Sequence, residues 1–288
     1  MTEKKLFMQE NDKILEEWLK TFQQNGGNET FFSLDGIMFQ GGIVRENETS
    51  NKLVRRASKN YKLENNSWSE NPCRFLILTK EQNMRNEGAW DSRVVSFHKN
   101  YSKVEDYILA GENFNKRLVF IIYGLAHVLK GEKVSFDFVN ENRSEILKFV
   151  DNYSFAHINC KKEGGGASCS VDSLKDAIKD YDTFLDRQIN NIDADLFICC
   201  GSTQAGHVKD HANYSLGFLK EHGYKFQYAG PKYQDIYYDE TQNKIAIDVW
   251  HPSYTHQGVS DKEFYEEAVD TLYNFINDHK EFLKSHRL

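Results

Sequence analysis

The chain has little that would break it, cross-link it or carry it through a membrane. Only 3 of its 288 residues are proline, and no Pro- or Ser-rich stretch divides one half from the other, so it reads as one domain, 1–288, without a linker. The longest wholly apolar runs are as short as Leu118 to Tyr123, far below the roughly 20 residues of a membrane-spanning helix. No membrane partner is expected. The lysines near Met1 are followed by no apolar segment of signal-peptide length, so export by that route is not expected either. Cysteine is scarce and odd in number. Cys73, Cys160, Cys169, Cys199 and Cys200 include no Cys-x-x-Cys pair and no histidine at zinc-ligand spacing, which argues against a disulfide framework and a metal site and fits unpaired thiols in the cytoplasm. Positive charge is also short. With 36 Lys+Arg against 43 Asp+Glu, the net charge of -7 argues against a surface coated with basic residues for generic nucleic-acid or lipid binding.

What is present folds. A 40% hydrophobic content with 27% charge is neither disordered nor low in complexity, and at this length about three quarters of the unfolded surface can be buried. Four short apolar runs read as buried strands: Arg74 to Thr79, Tyr153 to Asn159, Asp195 to Gly201 and Ile245 to Trp250. Helical patterns separate them, at Phe114 to Lys130, Ser144 to Val150, Val171 to Ile192 and Ala205 to His222. The alternation predicts an α/β fold, a three-layer αβα sandwich around a central, mainly parallel four-stranded sheet. Tyr233 to Tyr238 reads as a hairpin partner of the fourth strand, and Asp261 to Leu283 as a closing helix. Ile14, Leu15, Trp18, Leu19 and Phe22 predict an N-terminal helix that exits at Asn25-Gly26-Gly27. Residues 1–70 are read as an extension packed on the core.

In such sheets chemistry collects beyond the carboxyl ends of the strands. The first strand exits through Thr79-Lys80-Glu81-Gln82-Asn83 and then Gly88-Ala89-Trp90-Asp91, two stretches that read equally as a solvated charged loop. The second ends at Asn159, followed by Lys161, Lys162 and Gly164-Gly165-Gly166-Ala167-Ser168, a flexible connector or a backbone cradle for phosphate. The third ends in Gly201-Ser202-Thr203, which helix capping alone would explain. The fourth ends in His251-Pro252-Ser253-Tyr254, where proline fixes the exit of the histidine. An acid, an amide, a hydroxyl turn and a histidine are thus expected on one rim.

These four segments resemble the uracil-DNA glycosylase superfamily. His251-Pro252-Ser253 matches that family's late motif letter for letter, Asn159 matches its base-reading asparagine, and Leu78 to Asn83 occupies the place of its water-activating motif. The resemblance covers roughly Asn71 to Asn277 and implies a uracil-DNA glycosylase-like fold and a monofunctional glycosylase, which flips a damaged or modified base from DNA and hydrolyses its N-glycosidic bond. Some members act on modified phage DNA, which implies antiphage defence as one setting. Glu81 would orient water, with Asn83 and Asp91 as alternatives, and His251 would stabilise the departing base. Asn159, Trp90, Phe97 and Ser253 would hold the base. Lys161, Lys162, Gly165, Ser168, Ser202, Tyr254, Arg55 and Arg56 would contact DNA, the arginines within a basic stretch from Lys52 to Lys62 that reads otherwise as a solvated helix face. No cofactor and no obligate protein partner are expected, and the cysteine spacing does not match the family's iron–sulfur branch. Two other readings stand beside this one: a non-catalytic module that binds modified DNA, and a small-molecule α/β hydrolase using Ser202 or Ser253 with His251. The second lacks a Gly-x-Ser-x-Gly elbow.

Overall fold

The strand-forming runs assemble into one mixed, seven-stranded sheet with helices on both faces. In this computed structural model the described residues are 6–39, 43–45, 53–55, 61–84, 88–89, 91–95, 113–166, 170–202, 214–253 and 259–285. In chain order the strands are β1 (Gly36–Met38), β2 (Ile43–Arg45), β3 (Leu53–Arg55), β4 (Phe75–Thr79), β5 (Phe155–Asn159), β6 (Leu196–Ser202), β7 (Gln227–Tyr228), β8 (Ile236–Asp239) and β9 (Lys244–Trp250). The large sheet runs β1-β5-β4-β6-β9-β8-β7, and β2 pairs with β3 apart from it. Its four central strands, β5-β4-β6-β9, are mutually parallel, and β1, β8 and β7 extend it antiparallel. The expected hairpin from Ile236 to Trp250 is present, turning at Asp239, whose carboxylate accepts backbone hydrogens from Lys225, Thr241 and Gln242.

Alternation along each strand splits the core in two. Phe75, Ile77, Leu196, Ile198, Ile245 and Ile247 face one helical layer, built from Asn113–Val128, Arg143–Asn152 and Asp261–Asp278. Leu76, Leu78, Ala156, Ile158, Phe197 and Ala246 face the other, built from Phe7–Gln24, Lys62–Glu70, Val171–Asp180, Asp182–Ile192 and Tyr214–Glu221. Both faces of the central strands are therefore apolar, as parallel strands require when both sides are covered.

Three expectations need correction. The segment Val171 to Ile192 is two helices, broken at Tyr181 (φ -128°, ψ 24°), whose ring packs against Trp18 and Phe22. The closing helix likewise breaks at His279. Part of the basic stretch is not a helix face: Leu53–Arg55 is a strand paired with Ile43–Arg45, and the next described helix is Lys62–Glu70.

The N-terminal segment is part of the core. Phe7, Met8, Ile14, Leu15, Trp18 and Phe22 are all buried, a gross burial term on the order of 10 kcal/mol at 1.5–3 kcal/mol per side chain. Asn65 and Trp68, from the next helix, are tied to Met8 N and Ile192 O, and β1 supplies an edge strand against β5.

Candidate active site

Sheet register brings the strand ends together. Thr79 lies opposite Asn159, Leu78 opposite Cys199, Cys200 opposite Val249 and Ser202 opposite Trp250. The residues just beyond, from Lys80, Cys160 and His251 onward, therefore leave along one rim. Pairing between the first two exits continues past the sheet: Cys160 N–H donates to Thr79 O, Lys161 N–H to Lys80 O, Gly165 N–H to Gln82 O and Met84 N–H to Gly165 O, all within 2.9 Å.

Between these exits sits Glu81, 7% exposed, whose Oε2 accepts from Lys161 Nζ at 2.9 Å. A Cβ on Gly165 would lie 2.6 Å from Glu81 Oε1. Gly165 thus serves close approach to a carboxylate, and its N–H is held by Gln82 O, so that N–H is not offered to a phosphate. Asp91 is not poised to activate water, because Arg93 takes both its oxygens at 2.7 Å. Arg93 also reaches Asp12, and these carboxylates hold its charge above the usual arginine range. Asn83 is exposed and bridged to Gly165.

Asn159 anchors a second, enclosed cluster. Its backbone N–H and Nδ2 donate to Asp35 Oδ2 at 2.9 and 3.2 Å, and its Oδ1 accepts from Thr79 Oγ1 at 2.9 Å. Because the Thr79 proton is directed there, the 2.8 Å contact between Thr79 Oγ1 and His157 Nε2 assigns the ring hydrogen to Nε2. Burial pushes the His157 pKa down to about 4, so the ring is neutral at pH 7. Lys162 is not a phosphate contact: at 2% exposure its ammonium donates to both oxygens of Asp35 (2.7 and 2.8 Å) and to Asn159 O (2.9 Å). Burial opposes the charge and Asp35 sustains it. Gln188 Nε2 completes the carboxylate's shell at 3.0 Å. At the periphery, Gln188 Oε1, Ser33 Oγ and Trp18 Nε1 are buried without a partner among the described residues.

His251 is held differently. Its Nδ1 accepts the Ser253 backbone N–H at 3.3 Å, which leaves the ring hydrogen on Nε2 in the neutral form. Nε2 is buried and has no hydrogen-bond partner among the described residues. Burial first, then Lys80 and His157, pushes its pKa down to about 3. The ring rests against Phe114 at 5.7 Å, and Phe114 meets His157 at 5.8 Å. One turn along the same helix, Arg117 donates to Pro252 O (3.2 Å) and Val259 O (3.0 Å) and pairs with Asp261 (2.7 Å). The first turns of Asn113–Val128 thus form a platform beneath the histidine turn. The Ser253 side chain is exposed.

Glu81, Asn159, Lys161 and His251 are brought to one rim. Trp90, Phe97, Ser168, Tyr254 and Arg56 lie outside the described residues, and Ser202 and Arg55 are described by backbone alone, at the end of β6 and on β3. Motif reading missed Asp35, Thr79, His157, Phe114 and Arg117. A signal existed for two of them: His157 is polar within an apolar run, two residues before Asn159, and Thr79 is the polar end of its own run, opposite Asn159. Asp35, remote in sequence and on no motif, gave none. Compared with known proteins, the chain matches no family model, no curated protein and no solved structure.

Proposed function

We propose that this rim is the active centre of a DNA glycosylase acting on a damaged or modified base. The observation that carries the reading is His251: a neutral imidazole, gripped at Nδ1, with a buried Nε2–H that has no partner among the described residues, at the carboxyl end of a parallel strand. A group that donates one hydrogen bond without carrying charge suits a leaving group that becomes anionic only as its bond breaks. In this reaction the C1′–N bond breaks, its electron pair departs with the base, water oxygen bonds to C1′, and the proton that the water loses ends on the released base. His251 would donate to an oxygen of the base anion, Glu81 would orient the water, and Asn159 would present its remaining N–H to the flipped base. The parallel order β5-β4-β6-β9 supports the glycosylase-like version of the fold, and Arg55 and Arg56 remain the proposed phosphate contacts.

One observation favours the non-catalytic alternative, a module that binds modified DNA: Glu81 is already paired with Lys161. The deciding experiment exposes unmodified, uracil-containing and phage-derived modified DNA to the purified protein and scores alkali-labile sites and released base. His251→Ala and Glu81→Gln are each expected to lower excision about 100-fold or more while DNA binding persists. Binding without abasic sites would overturn the enzyme reading in favour of the module.

A further inference from the structure

Among the contacts the N-terminal segment makes with the rim, the one that bears on Asn159 comes from Asp35, which lies just before β1 and is fully enclosed. Its Oδ2 takes two hydrogens from Asn159, one from the backbone and one from the side chain, while Lys162 and Gln188 hold Oδ1. The other end of the same amide, Asn159 Oδ1, accepts the Thr79 proton, and Thr79 Oγ1 also meets His157 Nε2 at 2.8 Å. A side-chain amide is nearly symmetric in shape, and half a turn exchanges its donor and its acceptor. Here that half turn would set a carbonyl oxygen against the Asp35 carboxylate, and it would oblige Thr79 to turn its proton to His157 and the ring to move its hydrogen to Nδ1. The first contact is repulsive, the second costs a change of tautomer, and both sit where water does not screen them.

We infer that Asp35 is a positioning residue that locks the Asn159 amide in one orientation, so that the rim reads one order of donor and acceptor and rejects the reverse. What is read rests on the glycosylase proposal; the lock itself does not. The consequence is specificity. A base edge of the uracil type places a ring N–H beside a carbonyl, whereas one of the cytosine type places a bare ring nitrogen beside an amino group, and an amide free to rotate accommodates either. The segment before β1 then belongs to the recognition machinery as well as to the core.

The test uses the full chain, labelled with 15N at asparagine, in two variants. Thr79→Val keeps shape and removes the proton given to Asn159 Oδ1. Asp35→Asn combined with Lys162→Met removes the carboxylate without stranding a buried ammonium. In the wild type the Asn159 NH2 hydrogens are expected to exchange with solvent about 100-fold more slowly than those of an exposed asparagine, and in folded variants that protection is lost. In parallel, duplexes carrying uracil or 5-hydroxymethylcytosine are compared as substrates. Whichever the wild type prefers, the kcat/KM ratio is expected to fall about tenfold in both variants. Protection unchanged in both variants overturns the lock. Protection lost with an unchanged ratio overturns its role in specificity. If the wild type processes neither duplex, the glycosylase reading fails on these substrates, while the exchange measurement still decides the lock.

Discussion

The two halves of the rim treat polar atoms in opposite ways. Around Asn159, charge is enclosed and answered: Lys162 meets Asp35 and a carbonyl, Asp35 meets Lys162, Gln188 and Asn159, and Thr79 closes the chain to His157. At His251, one ring nitrogen is held and the other is buried without a partner among the described residues. A buried donor without an acceptor costs about 1–3 kcal/mol, and the fold retains it on a built platform of Phe114 and Arg117. The first half is what a protein does to hold a shape; the second is what it does to hold a donor ready.

Removing charge should break this contrast most visibly. Lys162→Met keeps the aliphatic stem and leaves Asp35 uncompensated in the core, which is expected to cost about 3–5 kcal/mol and on the order of 10 °C in melting temperature. His251→Ala frees only the Ser253 N–H, which is exposed and can turn to water, and is expected to change stability by about 1 kcal/mol or less in either direction. Denaturant titrations of the two variants read the difference directly. Similar losses for both would erase the distinction between a structural and a poised half.

Acid should sharpen it. His157 and His251 are held at about 4 and about 3, below the usual 6.5, with burial the leading cause in each. Between about pH 6.5 and 4 the unfolded chain therefore binds protons at both positions that the folded chain refuses. Stability falls as pH falls through that window, by up to about 1.4 kcal/mol per pH unit for each histidine. In His251→Ala one of the two protons is gone, so the dependence relative to wild type flattens by one proton. Denaturation midpoints at pH 6.5, 5.5 and 4.5 measure this. An unchanged slope would mean that the His251 ring is hydrated in the folded state.

Much of the architecture was legible because it rests on local pattern. The four central strands follow from apolar runs bounded by polar exits, and the antiparallel partner of β9 follows from the turn at Asp239 to Asn243. The break at Tyr181 was not legible, because the residues that hold that ring, Trp18 and Phe22, lie far away in sequence. The same reason divides the site. Glu81, Asn159 and His251 are found at strand ends by position alone, whereas the occupation of Lys162 by Asp35 is a contact across 127 residues. A lysine beside an asparagine at a strand end looks like a phosphate contact until its counter-ion is known. The triple glycine misled in a related way: Gly165 is small to admit a carboxylate, not a ligand.

That glycine offers the finest test of the comparison, because it touches Glu81, a carboxylate between the two halves. In Gly165→Ala the new methyl group meets Glu81 Oε1 at 2.6 Å, so the carboxylate must swing and its 2.9 Å contact with Lys161 must lengthen. The displaced atom is the end of a flexible side chain, and the expected loss of stability is therefore small, about 1 kcal/mol, at the low end for overpacking. If Glu81 orients water, that shift should lower turnover with little change in KM, since misplacement of a reacting group acts on the chemical step. Full turnover in Gly165→Ala, with the fold intact, would move Glu81 from the chemistry to the scaffold and leave His251 as the poised group of the rim.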